Sequence, residues 1–265
     1  MMNKYFLFRK AWRYDGASNE EPLLQEHEWK ALLKQGGLLV RNTYNFDCQE
    51  ETKFWYVIKD HFEGFEELSP RVRNKIRHAL NSFDYQLITF ETMHNDSYGI
   101  YEETFKDYPI HDRKMNREIF ERYLNHCKDR SFDYWGVFDK VTGELVGFCA
   151  VNDWQTCCEY GVTGIRSRYK SHGYYPYYGL YYTLNQYYLK DKGYTYVSDS
   201  ARSITEHSNI HEFLIQNFNF RKAYCHLQVH YNWWMCIAVK VLYPFRKIIT
   251  IPKVKAILNM ESMTR

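Results

Sequence analysis

The residues best suited to chemistry gather in one stretch, Ile165-Arg166-Ser167-Arg168-Tyr169-Lys170-Ser171-His172-Gly173-Tyr174-Tyr175-Pro176-Tyr177-Tyr178-Gly179. Arg166, Arg168, Lys170 and Gly173 precede a helix opened by Pro176. First-turn N–H groups carry partial positive charge, so the stretch suits a bound anion such as a phosphate. A second cationic set, Arg71, Arg73, Lys75, Arg77 and His78, lies opposite the apolar stripe of a helix opened by Ser69-Pro70. It reads either as a solvated face or as an anion-facing one. The histidine pairs His207/His211 and His226/His230 have no cysteine or carboxylate at ligand spacing, so no metal is expected. No G-x-S-x-G, P-loop or H-E-x-x-H pattern is present to support a hydrolase or a kinase.

These groups sit in a chain of 265 residues with a formal charge of only +3, which excludes a protein that coats nucleic acid wholesale. At 45% hydrophobic and 25% charged it can bury a full core, as one large domain or two small ones. Aromatic residues make up 18% of it, which fits a core or a groove gripping an extended or ring-bearing ligand. The seven cysteines are odd in number, lack C-x-x-C spacing and fall mostly in apolar runs, as buried free thiols of a reducing compartment would. The apolar stretch before Arg9 is too short for a signal peptide, and no window approaches the ~18 apolar residues of a membrane helix. A cytoplasmic location is the expectation.

Residues 1 to about 50 give little beyond a short strand at Leu38-Leu39-Val40. The run Phe54-Trp55-Tyr56-Val57-Ile58 reads as a strand, and Val72, Ile76, Ala79 and Leu80 keep helical spacing. From Phe83 the order is strand to Glu91, helices over 97–107 and 117–130, then a hairpin turning at Thr142-Gly143-Glu144. A strand near Cys157–Ile165, a helix Pro176–Asp191 closed by Gly193, a strand Tyr194–Ser198 and a helix Asn209–Asn217 follow. Two last strands are expected at about 221–231 and 234–242. This order predicts an α+β chain with a mixed sheet and helices on both faces.

The element order over about 160 residues resembles the GNAT family of acyl-CoA N-acyltransferases. The hairpin looks like that family's second and third strands. Ser208-Asn209-Ile210-His211-Glu212-Phe213-Leu214-Ile215-Gln216-Asn217-Phe218-Asn219-Phe220-Arg221 looks like its late motif, in which an Asn opens a helix ending in Gly-Phe. Asn219 replaces the glycine, and Asn is the next best residue for a left-handed helix end. The helix 69–79 is similar to the basic helix of Fem-type transferases, which share the fold and add amino acids from charged tRNA to peptidoglycan precursors. The family's Q/R-x-x-G-x-G/A loop is broken here, and Ile215 stands where many members have an acidic tyrosine.

The resemblance implies a GNAT-like fold with an amino-terminal extension over 1–82, a GNAT-like domain over 83–243 and a basic tail over 244–265. It implies an N-acyltransferase moving an acyl group from acyl-CoA to a small amine or amino sugar. Arg166, Arg168, Lys170, Gly173 and Asn209 would hold the co-substrate, without a metal, although Asn209 reads first as the cap of its helix and could do both. Glu159 is first choice as base because its strand faces the cleft in the family, and Asp153 is second. Each reads equally as a paired surface carboxylate. Tyr224 would replace the missing acid. One rival is a Fem-like transferase drawing on aminoacyl-tRNA and acting on a cell-wall precursor. The other is a degenerate fold that only binds ligand. Eight tyrosines between Tyr174 and Tyr188 read as packing or as an aromatic wall, with packing favoured. From Lys240 onward six cations face Glu261 alone, interleaved with Ile248, Ile249, Ile251, Val254, Ile257 and Leu258. That tail either packs, the reading slightly favoured, or makes peripheral membrane contact, and Pro244 and Pro252 break any long amphipathic helix.

Overall fold

Ser69 and Pro70 start their helix as their chemistry dictates. The Ser69 hydroxyl accepts a hydrogen bond from the Val72 N–H at 3.4 Å, and Pro70 takes the first helical position of α2 (Pro70–Ser82). Val72, Ile76 and Ala79 form its buried stripe. The computed structural model describes residues 4–8, 10–106, 114–128, 130–170, 173–204 and 209–265. Its packing divides the chain into two units, each built from separate segments.

Unit 2 comprises Ile58–Ser200 and Asn209–Arg221. Besides α2 it holds β5 (Phe83–Ile88), α3 (Phe90–Lys106), α4 (Arg117–Lys128), β6 (Phe132–Asp139) and β7 (Leu145–Asp153). It continues with β8 (Cys157–Ile165), α5 (Pro176–Asn185), β9 (Tyr196–Ala201, but for its last residue) and α6 (Ile210–Phe218). β5, β6, β7 and β8 pair antiparallel in that order, and β9 joins β8 in parallel, giving the mixed sheet expected. The Asp139 carboxylate closes the β6–β7 turn by accepting from the Val141 and Thr142 N–H groups at 2.9 Å. Met93, Ile100, Phe120 and Leu124 of α3 and α4 pack with Tyr134, Phe148 and Ala150 of the sheet. Asn219 ends α6 in the left-handed conformation, at φ 57°. The helix over 176–191 runs as α5 and then widens, the Lys192 N–H reaching the Tyr187 carbonyl at 2.8 Å.

Unit 1 comprises Met1–Val57, Ala201–Ser208 and Lys222–Arg265. It contains β1 (Tyr5–Phe8), β2 (Ala11–Tyr14), α1 (Glu26–Lys34), β3 (Leu39–Tyr44), the start of β4 (Phe54–Lys59), and β10 (Arg221–Tyr231) from its second residue. α7 (Trp233–Leu242) and α8 (Pro252–Met263) follow. β1 and β2 are antiparallel, β2 and β3 parallel, and β3 and β10 antiparallel. These limits differ from the boundaries at 82/83 and 243/244 drawn from the sequence.

One reading is corrected: residues 234–242, expected as a strand, form α7, whose Met235 and Val239 pack with Leu258 of α8. The tail forms no single long helix: α7 ends at Leu242, before Pro244, and α8 starts at Pro252, where the missing N–H costs nothing.

Candidate active site

The parallel pairing of β8 with β9 lasts for three rungs, Cys157↔Tyr196, Cys158↔Val197 and Glu159↔Ser198. Beyond the last rung β8 continues from Tyr160 to Ile165 without β9 beside it. Two local features produce the parting. Ser200 has φ 63°, a left-handed value unusual for a residue with a side chain, and it turns β9 just after Asp199. On β8, the register with β7 jumps between Cys149↔Thr163 and Val151↔Tyr160, which is a β-bulge opposite Ala150. A Cβ at Gly161 would lie 2.9 Å from the Ala150 carbonyl oxygen, so the bulge requires glycine.

Titratable groups concentrate at this parting. Asp199 is buried at 8% exposure, and burial, helped by the neighbouring Glu159 charge, pushes its carboxyl well above the ordinary carboxylate range. His211, on the first turn of α6, places Nε2 2.8 Å from the Asp199 carbonyl oxygen and 3.4 Å from its Oδ2. A carbonyl only accepts, so Nε2 carries the proton. Tyr181 of α5 is buried beside Asp199 and bonded to Thr163, and burial lifts its hydroxyl well above the usual value. Thr163 donates to Cys149 Sγ at 3.2 Å, and burial pushes that thiol up to about 12, so it stays protonated. Glu159, Val162, Thr163 and His211 are half-buried and Gly161 is exposed, while Tyr160 and Tyr181 are buried. One side of the parting therefore reaches solvent.

Of the residues named from the sequence, Glu159 stands on the last rung, next to Asp199. Asp153 is occupied by Tyr194 Oη at 2.6 Å, the Gln155 N–H at 2.6 Å and Lys192 Nζ at 3.1 Å. Burial pushes its carboxyl up, but these bonds outweigh burial and hold it below its usual range. Tyr224 lies on β10 in unit 1, where its hydroxyl donates to Glu51 at 3.1 Å and is raised by burial and by that carboxylate. Asn209 occupies the cap position of α6, but its side chain makes no capping bond.

The cationic loop is already compensated. Arg166 is paired with Glu103 of α3 and, at 3.1 Å, with Glu144, which also holds Arg168. Lys170 Nζ lies 3.4 Å from the Thr104 carbonyl. Gly173 has φ +82° and is exposed. Lys75 supplies a cation that the helical reading left on an undifferentiated face. Its Nζ donates to Tyr178 Oη at 2.8 Å and sits 5.2 and 4.5 Å from the Tyr175 and Tyr178 ring centroids, beside the first turn of α5. Among the described residues no carboxylate pairs with Lys75. The tyrosine cluster divides: Tyr181, Tyr182 and Tyr188 are buried, and Tyr174 and Tyr175 are exposed.

Asp199 was missed because one aspartate in a strand-like run carries no signal until the register is known. His211 had drawn notice only as a metal candidate with His207, which lies outside the described residues. No group of three metal-ligating side chains occurs among the described residues. His226 stacks on Tyr44 and His230 on Trp29. A cleft in unit 1, lined by Arg13, Arg41, Asn42, Thr43 and Tyr56 among others, contains none of the residues named from the sequence.

No family model matches the sequence, and no curated protein matches it. Solved structures resemble the fold. FemX superposes with a TM-score of 0.52 at 11% identity, over 74% of this chain and 65% of FemX, so the chain spans about two thirds of that protein. A tandem GNAT protein from the clavulanic acid biosynthesis pathway gives a TM-score of 0.44 at 12% identity, over 84% of this chain and 75% of the other. L-PGS from Bacillus licheniformis gives 0.47 at 10% identity, over 98% and 85%. The chain has a GNAT-like, Fem-type fold with a mixed sheet.

Proposed function

We propose that the chain is an N-acyltransferase acting at the parting of β8 and β9, with acyl-CoA as donor and a small amine or amino sugar as acceptor. The carrying observation is the end of the ladder at Glu159↔Ser198, flanked by Glu159 and by the buried Asp199. Strand alternation puts Glu159 on one face and Asp199 on the other, so base and acid flank the gap through which a donor's carbonyl would pass. Glu159 takes a proton from the attacking amine as the N–C bond forms. Asp199, kept protonated by burial, returns a proton to the sulfur as the C–S bond breaks, the role sought in Tyr224. The donors proposed for the carbonyl oxygen are the amides of the β8 bulge, where Gly161 and Val162 have no β7 partner and meet the Cys149 thiol and the Tyr123 hydroxyl, contacts that a donor's carbonyl would have to replace. Gly173 and the first turn of α5, with Lys75 beside them, are the proposed seat of the donor's phosphates. Asn209 lies at the start of α6, from where it would reach a pantetheine arm.

A second reading has its own observation. Arg166 and Arg168 are engaged by Glu103 and Glu144, which weakens the case for a pyrophosphate there. With the basic face of α2, this favours an aminoacyl-tRNA donor and a cell-wall precursor acceptor. Calorimetry of the full chain with acetyl-CoA, CoA and charged tRNA decides. Micromolar CoA binding, with thiol release that falls about 10²-fold or more in Glu159→Gln, supports the first reading. Binding to tRNA alone, with a steep salt dependence, supports the second. Binding of neither donor refutes both and leaves a degenerate fold.

A further inference from the structure

The carboxy-terminal part of unit 1 separates two apolar surfaces that the sequence runs together. On α7, Met235 and Val239 face inward onto Leu258, with Leu242, Val254 and Ile257 packed around them. The other face carries Trp233 at 74% exposure, with Trp234, Ile237 and Val241 also exposed. At 3.6 residues per turn, these four side chains and Lys240 fall within an arc of about 120°. The segment leading to α8 extends the surface with exposed Phe245, Ile248 and Ile251. Isolated exposed apolar residues are ordinary, whereas seven within nineteen positions form a patch that calls for an occupant.

The charges identify that occupant. Lys240, Lys247, Lys253 and Lys255 are exposed, and none pairs with a carboxylate among the described residues. The one acid of the region, Glu261, is held by Arg265 at 3.1 Å and by the Tyr231 hydroxyl at 3.1 Å. A second copy of the chain would bring like charges together, so self-association is disfavoured. A bilayer offers an anionic surface to the lysines and an interfacial zone that tryptophan prefers, and a convex helix face needs no groove to enter it. We infer that the outer face of α7, with Phe245, Ile248 and Ile251, docks on an anionic lipid bilayer. The helix lies in the plane of the surface; no helix among the described residues is long and apolar enough to cross a membrane.

The experiment is co-sedimentation of the full chain with phosphatidylcholine vesicles, with and without phosphatidylglycerol, read together with tryptophan fluorescence. The expected result is pelleting with the anionic vesicles, a blue shift, and at least tenfold weaker binding for Trp233→Glu with Ile237→Glu. Each cation near such a surface strengthens binding roughly fivefold, so Lys240→Glu with Lys247→Glu and Lys253→Glu removes the preference for phosphatidylglycerol. Circular dichroism checks that the variants fold, and Trp233→Ser stands in for the double variant if it does not. Equal binding with and without the anionic lipid overturns the inference. So does a concentration-dependent dimer that the α7 variants abolish. Donor binding measured in the same preparations reports separately on the transferase reading, on which this surface does not depend.

Discussion

Replacing Asp199 by asparagine isolates what its burial does. The amide keeps the shape of the side chain, and the contact of His211 Nε2 with the residue 199 carbonyl survives because it belongs to the backbone. Two quantities change. The first is catalysis: an amide cannot release a proton to the leaving atom. Positioned acids contribute about 10²–10⁴-fold, equivalent to about 3–5 kcal/mol at 1.36 kcal/mol per decade. The second is the pH dependence of folding. Below an unfolded pKa of about 3.9 both states are protonated. Above it the unfolded chain ionises while native Asp199 holds its proton, so stability falls by about 1.4 kcal/mol per pH unit until the raised native pKa is reached. Because its folded pKa is raised, the contribution is favourable at low pH and lost as pH rises. Urea midpoints of the wild type and Asp199→Asn, measured from pH 4 to 7, should therefore diverge, the variant becoming relatively more stable with rising pH. Glu159→Gln should reduce the divergence, since the Glu159 charge adds to the shift. Parallel pH curves for wild type and Asp199→Asn, with unchanged transfer rates, would refute both the protonated carboxyl and its role.

Other expectations are open to direct test. Lys59→Met takes the ammonium, 2.8 Å away, from Glu67, whose side chain is 5% exposed, and leaves this buried carboxylate with His61 Nε2 at 3.4 Å. Urea unfolding should show a loss of about 3–5 kcal/mol, largely recovered in Lys59→Met with Glu67→Leu. Gly179→Ala places a Cβ 2.2 Å from the Tyr85 hydroxyl. It should lower stability by about 1–3 kcal/mol despite alanine's better helix propensity, and Tyr85→Ala in the same chain should restore part of the loss. Glu144→Gln removes the carboxylate shared by Arg166 and Arg168. Calorimetric affinity for CoA should rise about two- to tenfold if those arginines meet the donor's phosphates, and stay unchanged if they do not.

How much was readable depended on whether a residue's environment is local. The α2 start at Ser69-Pro70, the Asp139-to-Gly143 turn and the left-handed end at Asn219 are set by residues within a turn of each other, and they stand where their types place them. α7 was misread for the opposite reason. Trp233, Trp234, Ile237 and Val241 stay apolar on the outward face and Lys240 is the one polar residue of the run, so no helical period shows and it reads as a strand. The active-site candidates divide the same way. The three cations of the loop are visible in the chain, yet what neutralises Arg166 and Arg168 comes from Glu103, 63 positions away, and Glu144, 24 away. Asp199 gains its character from strand register and the helices packed over it, which no local pattern encodes.

The discontinuous make-up of the two units orders events during synthesis. The chain passes from one unit to the other four times, at 57/58, 200/201, 208/209 and 221/222. Unit 2 has all its segments once Arg221 has left the ribosome, and can begin to fold there. The first strands wait far longer: beyond its pairing with β2, Leu39–Tyr44 finds its second hydrogen-bonding neighbour in 226–231, and Met260 of α8 belongs to the same core cluster as Leu39. A nascent chain halted before residues 226–231 emerge would carry an unfinished β3 edge, open to wrong partners until that strand is made.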